Sequence, residues 1–373
     1  MQPILMVVPG LVFALYFFFG AFSVVRADWK LEWEKMVAAA KKEGKVTVYM
    51  HSAFQPIAPA FMKKYPEIKA ITFSGRGADV GTRIIAEARA GKNLADIYIG
   101  GPHTVNSMLL PAGVLEPLKE ALILPEVLDE AKWITGRHRF TDPKGKYNYA
   151  FLANRTGETL AYNTGLVNPK DFNSYWDLVD PKWKGKIVSL EPTERRLGGT
   201  MQYLYYHPNL GPKYVKQLFT EMNLTLAADP RLITDWLGQG RFHICLGCID
   251  VGQAIQQGLP INVFDTDTWK EGASFSTGGG TISLVKNSPD PNAARVFINW
   301  FLSREGQLAV QKLTYPGRHP NSGRIDIPKD MVSSMNRLVP GREYSDASKP
   351  EWQVMKPIYD LAEDIMRQIK TKG

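Results

Sequence analysis

Cysteine is nearly absent from these 373 residues: there are two, Cys245 and Cys248, both far from the amino terminus. Two thiolates cannot complete a four-ligand zinc site, and no cysteine stands near the head of the chain for lipoprotein processing. The chain also lacks an H-E-x-x-H pair, a Ser/His/Asp order with a nucleophile elbow, and a dinucleotide fingerprint. The glycine-rich run Ser276 to Gly280 has no Lys-Ser/Thr after it, so it is not a phosphate-binding P-loop. The formal charge of +8 is spread along the sequence rather than gathered in one block. No basic helix with interleaved aromatics accompanies it, which argues against a nucleic-acid binder. The excess reads as solubility, with some favour toward anionic ligands.

Charge is missing altogether between Pro3 and Val25. That run closes on Val25-Arg26-Ala27, with small or branched residues where a signal peptidase reads, so residues 1–27 are expected to be a secretory leader and the mature chain periplasmic. The leader has no Lys or Arg before its apolar stretch, and the stretch is long enough to span a bilayer, so a retained anchor is the alternative.

The whole chain is 44% hydrophobic and 22% charged, enough for two α/β lobes. Trp29 to Glu43 has an amphipathic helical pattern, with Leu31, Met36 and Ala39 on one side, and Gly44 ends it. The strand Lys45 to Tyr49 follows, placing His51 and Ser52 in the turn at its carboxyl end, where open α/β sheets bind ligands. Ser52 also fits as a helix N-cap. After the strand Ile68 to Phe73, the turn Ser74-Gly75-Arg76-Gly77 offers backbone amides and the Arg76 guanidinium to an anion. A third strand, Asp96 to Ile99, ends on Gly100-Gly101, where bare backbone lets a ligand come close.

The extended segments flanking Asn154 to Gly157 are the expected hinge. Beyond it, the stretch from Thr159 to Leu190 reads as strand, turn, helix and strand, the size of one βαβ unit. Thr193 and Arg196 lie before the helix starting at Met201, where amide groups and a guanidinium would hold an oxyanion. Asp250 follows the strand Arg241 to Gly247 and is either a ligand contact or the cap of the next helix. Cys245 and Cys248 are expected to form a local disulfide in an oxidising compartment, with a redox-active C-x-x-C as the alternative. Thr277, in the glycine-rich approach to a returning strand, completes the candidate ring.

Several of these segments, in order, resemble bacterial extracellular solute-binding proteins of ABC importers, in the ferric-iron-binding-like branch of the type II periplasmic binding proteins. The resemblance rests on Tyr162-Asn163-Thr164 with Ser174 to Leu178 and Asp180 to Ile187, on Met108 to Leu118, on Val285 to Gln307, and on Tyr315-Pro316 with Pro320-Asn321. It spans about Lys45 to Asn321. It implies a two-lobe α/β fold whose ligand cleft lies between lobes joined by hinge strands. Residues 28–155 and 275–350 would form lobe 1, 156–274 lobe 2, and 351–373 a C-terminal helix. It implies a monomeric, non-enzymatic carrier that needs no cofactor, takes a small solute and delivers it to ABC permease transmembrane subunits. Iron-binding members use two adjacent tyrosines in the turn where this chain has Gly247 to Asp250, and a glutamate where Gly101 stands. His51 lies a few residues early, and Tyr205-Tyr206 falls on an expected helix, so ferric iron through the family's own ligands is disfavoured. The candidate ring suits a small anionic or zwitterionic solute. A ferric-ion carrier of the same fold is one alternative, and a secreted α/β enzyme or thiol oxidoreductase using Cys245 and Cys248 is another.

Overall fold

A computed structural model describes residues 17–156, 160–334 and 336–372, with side chains described from residue 29 to residue 371. The expected leader over 1–27 lies outside the fully described residues. Among the described residues no helix is long and apolar enough to cross a membrane.

The chain begins with α1 (Phe17–Glu43), β1 (Lys45–His51), α2 (Ile57–Lys64), β2 (Lys69–Gly75), α3 (Gly77–Arg89) and β3 (Ile97–Gly100). Two one-turn helices, α4 (Pro102–Thr104) and α5 (Pro125–Leu128), flank β4 (Leu115–Glu116), and β5 (Tyr149–Ala150) follows. Next come β6 (Asn154–Thr156), β7 (Leu160–Asn163), β8 (Ile187–Leu190), α6 (Gly198–Tyr206) and α7 (Gly211–Glu221). Then β9 (Thr225–Ala227), α8 (Pro230–Gly238), β10 (Ile244–Leu246), α9 (Val251–Gln256) and β11 (Ile261–Val263) complete that region. The chain ends with β12 (Ala273–Ser276), β13 (Thr281–Val285), α10 (Pro291–Leu302), α11 (Arg304–Leu313), β14 (Tyr344–Asp346) and α12 (Lys356–Lys372).

These strands make two separate sheets and a third that links them. The first has the order β2-β1-β3-β13-β4, with β5 also on β13. β1 runs parallel to β2 and β3, and β13 returns antiparallel. The second has the order β11-β7-β10-β8-β9. Each sheet carries its own core: Val48, Phe54, Phe61, Ile99 and Phe297 in the first lobe, and Phe172, Trp183, Tyr214, Ile233 and Phe264 in the second. The linking sheet is β14-β12-β6, in which β12 pairs antiparallel with β6 and parallel with β14. The expected crossing at residues 154–157 contains β6, and β14 adds a third strand that the sequence did not announce.

Helix α1 docks through Trp29, Trp33, Met36, Val37 and Ala40, spaced as one helical stripe, while Leu31 is 51% exposed. This corrects the expectation that Leu31 and Ala39 mark the buried side. Gly44 ends the helix at φ +72°, a conformation open to glycine at no steric cost. The Glu43 carboxylate then accepts from the Asn292 and Ala293 amides at the start of α10, at 3.2 and 2.7 Å. Asp96 is fully buried and accepts from the Thr47 amide, the Ser288 hydroxyl and the Asp290 amide at 2.6, 2.5 and 3.0 Å. Burial pushes its carboxyl above the ordinary aspartate value even against those bonds. Together they fix β1 to the β13–α10 connection, so the carboxyl ends of β1 and β3 are held in place. Helix α12 buries Ile358, Ala362 and Ile365 in the second core. The terminal helix therefore packs on the second lobe, a placement the sequence left open.

Candidate functional site

A cavity of about 290 Å³ lies where the linking sheet meets the start of α6. Its walls include Thr156 of β6, Ser274 and Ser276 of β12, Tyr175, Tyr203, and Arg196 beside Gly199 and Thr200. Its volume is near the lower end of the roughly 300–1,000 Å³ of small-molecule sites. Among the described residues no carboxylate lines it, and Arg196 is its one charged side chain.

The linking sheet supplies the cavity's hydroxyls. In β12 Ala273, Ser274 and Ser276 line the cavity, while Phe275 does not and lies beneath the Arg139 guanidinium, 4.6 Å from ring centroid to carbon. The Thr156 hydroxyl donates to the Ser274 carbonyl at 2.9 Å and touches the Ser274 hydroxyl. Ser276 Oγ accepts from the Gly278 amide at 3.0 Å. The two tyrosines form a rigid wall. Tyr203 donates to the Gly272 carbonyl at 2.7 Å, and the Tyr175 carbonyl accepts from Tyr214 at 2.9 Å. Burial pushes both the Tyr175 and Tyr203 phenols well above the ordinary tyrosine value, so they stay neutral. The cavity wall can therefore offer a guanidinium, hydroxyls and aromatic faces to a guest, while the buried Glu271 carboxylate stands behind the tyrosines, accepting from the Tyr175 amide at 3.1 Å.

The candidates read from the sequence fall into separate places. Arg196 lines the cavity and is exposed. Thr193, three residues earlier, instead borders a groove with Glu363, Met366 and Arg367 of α12. Thr277 is fully buried, its amide donating to Ser348 Oγ at 2.7 Å and its hydroxyl to the Gly280 carbonyl. It therefore serves the turn, and the hinge face belongs to Ser276, one residue earlier. His51, Ser52 and Gly101 gather at the edge of the first sheet. There Tyr315 stacks on His51 at 6.3 Å and meets Phe54 edge-on at 5.7 Å. His51 Nδ1 accepts from the Ala53 amide at 3.3 Å, so the histidine, and not Ser52, caps this turn. A Cβ on Gly101 would lie 3.7 Å from the Gly278 carbonyl, so two glycine-bearing turns run side by side. Arg76 is the exposed residue preceding α3.

Asp250 sits at the start of α9 in the left-handed region, φ +53°, but its side chain makes no capping bond. It pairs instead with Arg318 of the first lobe at 3.7 Å. Cys245 and Cys248 are joined as a disulfide, with Cα atoms 5.9 Å apart, in the segment leading to Asp250. Tyr206 donates to the Val354 carbonyl and stacks on Trp352, which ties the Tyr205-Tyr206 pair to the C-terminal segment. Sequence reasoning passed over Thr156, Tyr175, Tyr203, Ser274 and Ser276. Period-two alternation in β12 was the one available signal for the serines.

Two lobes, two sheets and strands crossing between them define a cleft protein of the α/β class. No protein-family model matches the chain. The spermidine/putrescine-binding periplasmic protein of Escherichia coli is 20% identical over 332 residues, covering 85% of this chain and 89% of that protein. The ferric iron-binding protein A of Mannheimia haemolytica, in an open conformation, superposes with a TM-score of 0.61 at 14% identity, covering 87% of this chain and 99% of that one. The periplasmic binding protein AfuA of Actinobacillus pleuropneumoniae, with exogenous fructose-6-phosphate bound, gives a TM-score of 0.54 at 19% identity, covering 88% and 99%. The chain thus has the two-lobe fold of the type II periplasmic binding proteins.

Proposed function

We propose that this chain is the periplasmic solute-binding component of an ABC importer. It holds a small anionic or zwitterionic solute between the lobes and delivers it, chemically unaltered, to membrane permease subunits. In this reading residues 28–155 and 275–350 form the first lobe and 156–274 the second, and the chain acts as a monomer without a cofactor. The carrying observation is the cavity at the hinge, which sets Arg196 on one lobe opposite hydroxyls of the very strands that bend when lobes close. A guanidinium in a cavity wall with no carboxylate among the described residues favours a carboxylate, phosphate or phosphonate group.

The competing readings meet specific obstacles. A thiol oxidoreductase needs an accessible thiolate, whereas both cysteines are buried and bonded to each other. A ferric carrier using Tyr205 and Tyr206 would have to pull Tyr206 off Val354 and Trp352. The polyamines named for the E. coli relative would meet Arg196 with no carboxylate in the cavity wall among the described residues. A thermal-shift screen with carboxylates, phosphonates, polyamines and Fe(III), run on the wild type and on Arg196→Ala, tests the reading. An anionic compound is expected to stabilise the wild type and to lose most of that effect in the variant. Stabilisation by cations alone would overturn the proposed ligand charge.

A further inference from the structure

Asp250 and Arg318 stand on different lobes, and each is presented by a turn that is fixed from several sides. The Gly247–Asp250 turn is bound by the disulfide and by Thr234, whose hydroxyl donates to the Pro230 carbonyl at 2.9 Å and accepts from the Ile249 amide at 3.2 Å. A Cβ at Gly247, φ +90°, would lie 3.0 Å from Leu190 and 3.1 Å from Leu197, so the turn is pressed onto the second core. Opposite it, the Arg318 amide donates to the Tyr315 carbonyl at 2.9 Å, and Asn336 donates to the carbonyls of Arg318 and His319 at 3.0 and 3.1 Å. Tyr315 itself is packed on the first core.

We infer that Asp250 and Arg318 are a closure latch, an ion pair between lobes that helps hold the closed form, and that Asp250 is therefore a positioning residue, not a solute contact. Neither residue lines the hinge cavity, and the Asp250 carboxylate faces a cation already supplied by the other lobe. Lobe separation pulls the two charges apart, so the pair contributes only to the closed form. At 67% and 41% side-chain exposure the pair is screened by water and salt. An exposed pair of this kind shifts an equilibrium by up to about fivefold. The inference rests on the proposed two-lobe closure, but not on the identity of the solute.

The test is a double-mutant cycle on the full chain using Asp250→Asn, Arg318→Gln and the double variant. Asparagine keeps the left-handed backbone at position 250 without strain. Energy transfer between dyes on non-canonical residues at exposed positions 79 and 231, one on each lobe, reports the closed-to-open ratio with no solute added. Each single variant is expected to lower that ratio by the same factor, up to about fivefold, with the double variant no worse than either. Raising salt should lower the wild-type ratio and leave all three variants unmoved. Equal ratios in wild type and variants, or additive losses in the double variant, would overturn the latch. Titration with inorganic phosphate or citrate on wild type and Arg196→Ala reports the cavity separately. Equal anion binding by the wild type and Arg196→Ala, or none by the wild type, with the cycle intact would fault the proposed function and leave the latch standing.

Discussion

Arg139 grips Asp346 at two points, Nε to Oδ2 at 2.8 Å and Nη2 to Oδ1 at 2.9 Å, while its Nη1 donates to the Leu152 carbonyl at 3.0 Å. The pair fastens β14, the third strand of the linking sheet, to the first lobe. With side-chain exposures of 5% and 12%, it is largely removed from water.

Removing one partner of such a pair strands the other charge in the interior, a loss of about 3–5 kcal/mol. Arg139→Ala is expected to lose stability in that range in urea unfolding followed by circular dichroism. The double change with Asp346→Ala should lose less than the sum of the singles, because the stranded carboxylate is gone.

Lys329 gives a pH dependence with a definite sign. Its ammonium donates to the Ser322 carbonyl at 2.7 Å in a buried pocket, and burial pushes its pKa down from 10.5 to about 7. Between those values the unfolded chain holds a proton that the folded chain has released, so stability rises with pH across the window. The contribution is complete above the unfolded value and is lost as pH falls through about 7. Urea midpoints should climb from pH 7 to pH 9 in the wild type and climb less steeply in Lys329→Met.

The disulfide between Cys245 and Cys248 closes a very short loop, so its effect on the unfolded chain is small, about 2 kcal/mol by loop entropy. Replacing both cysteines with serine should lower the melting temperature modestly and increase amide exchange in the turn from Gly247 to Asp250. Global unfolding at room temperature would show that the bridge carries more of the second lobe than its loop length suggests.

Gly100 shows a constraint set by its neighbour two residues back. A Cβ there would lie 2.1 Å from the Tyr98 hydroxyl, and Tyr98 is fully buried. Gly100→Ala is expected to cost about 1–3 kcal/mol through overpacking, measured by chemical denaturation. An unchanged midpoint would mean the Tyr98 ring has room to move.

The two-lobe plan was legible because long apolar strands and glycine-stopped helices carry local signals, as in Lys45 to Tyr49 before the turn at His51. Strand β14 was not legible, because Tyr344–Asp346 is three polar or half-buried residues whose pairing comes from β12. Arg139 and Arg324 are charged residues buried by tertiary packing, and composition sends such residues to the surface. The candidate site was half visible. Arg196 came from its place before a helix, but Thr277 was chosen where Ser276 lines the cavity. Tyr175 and Tyr203 reach the same cavity from distant positions, and nothing in their spacing links them.

Native mass spectrometry of the chain incubated with a stabilising anion, followed by release and weighing of the guest, tests capture without chemistry most directly. The account predicts one molecule bound per chain, recovered at unchanged mass, with binding lost in Arg196→Ala. Equal binding by that variant, or release of a compound of altered mass, would contradict it.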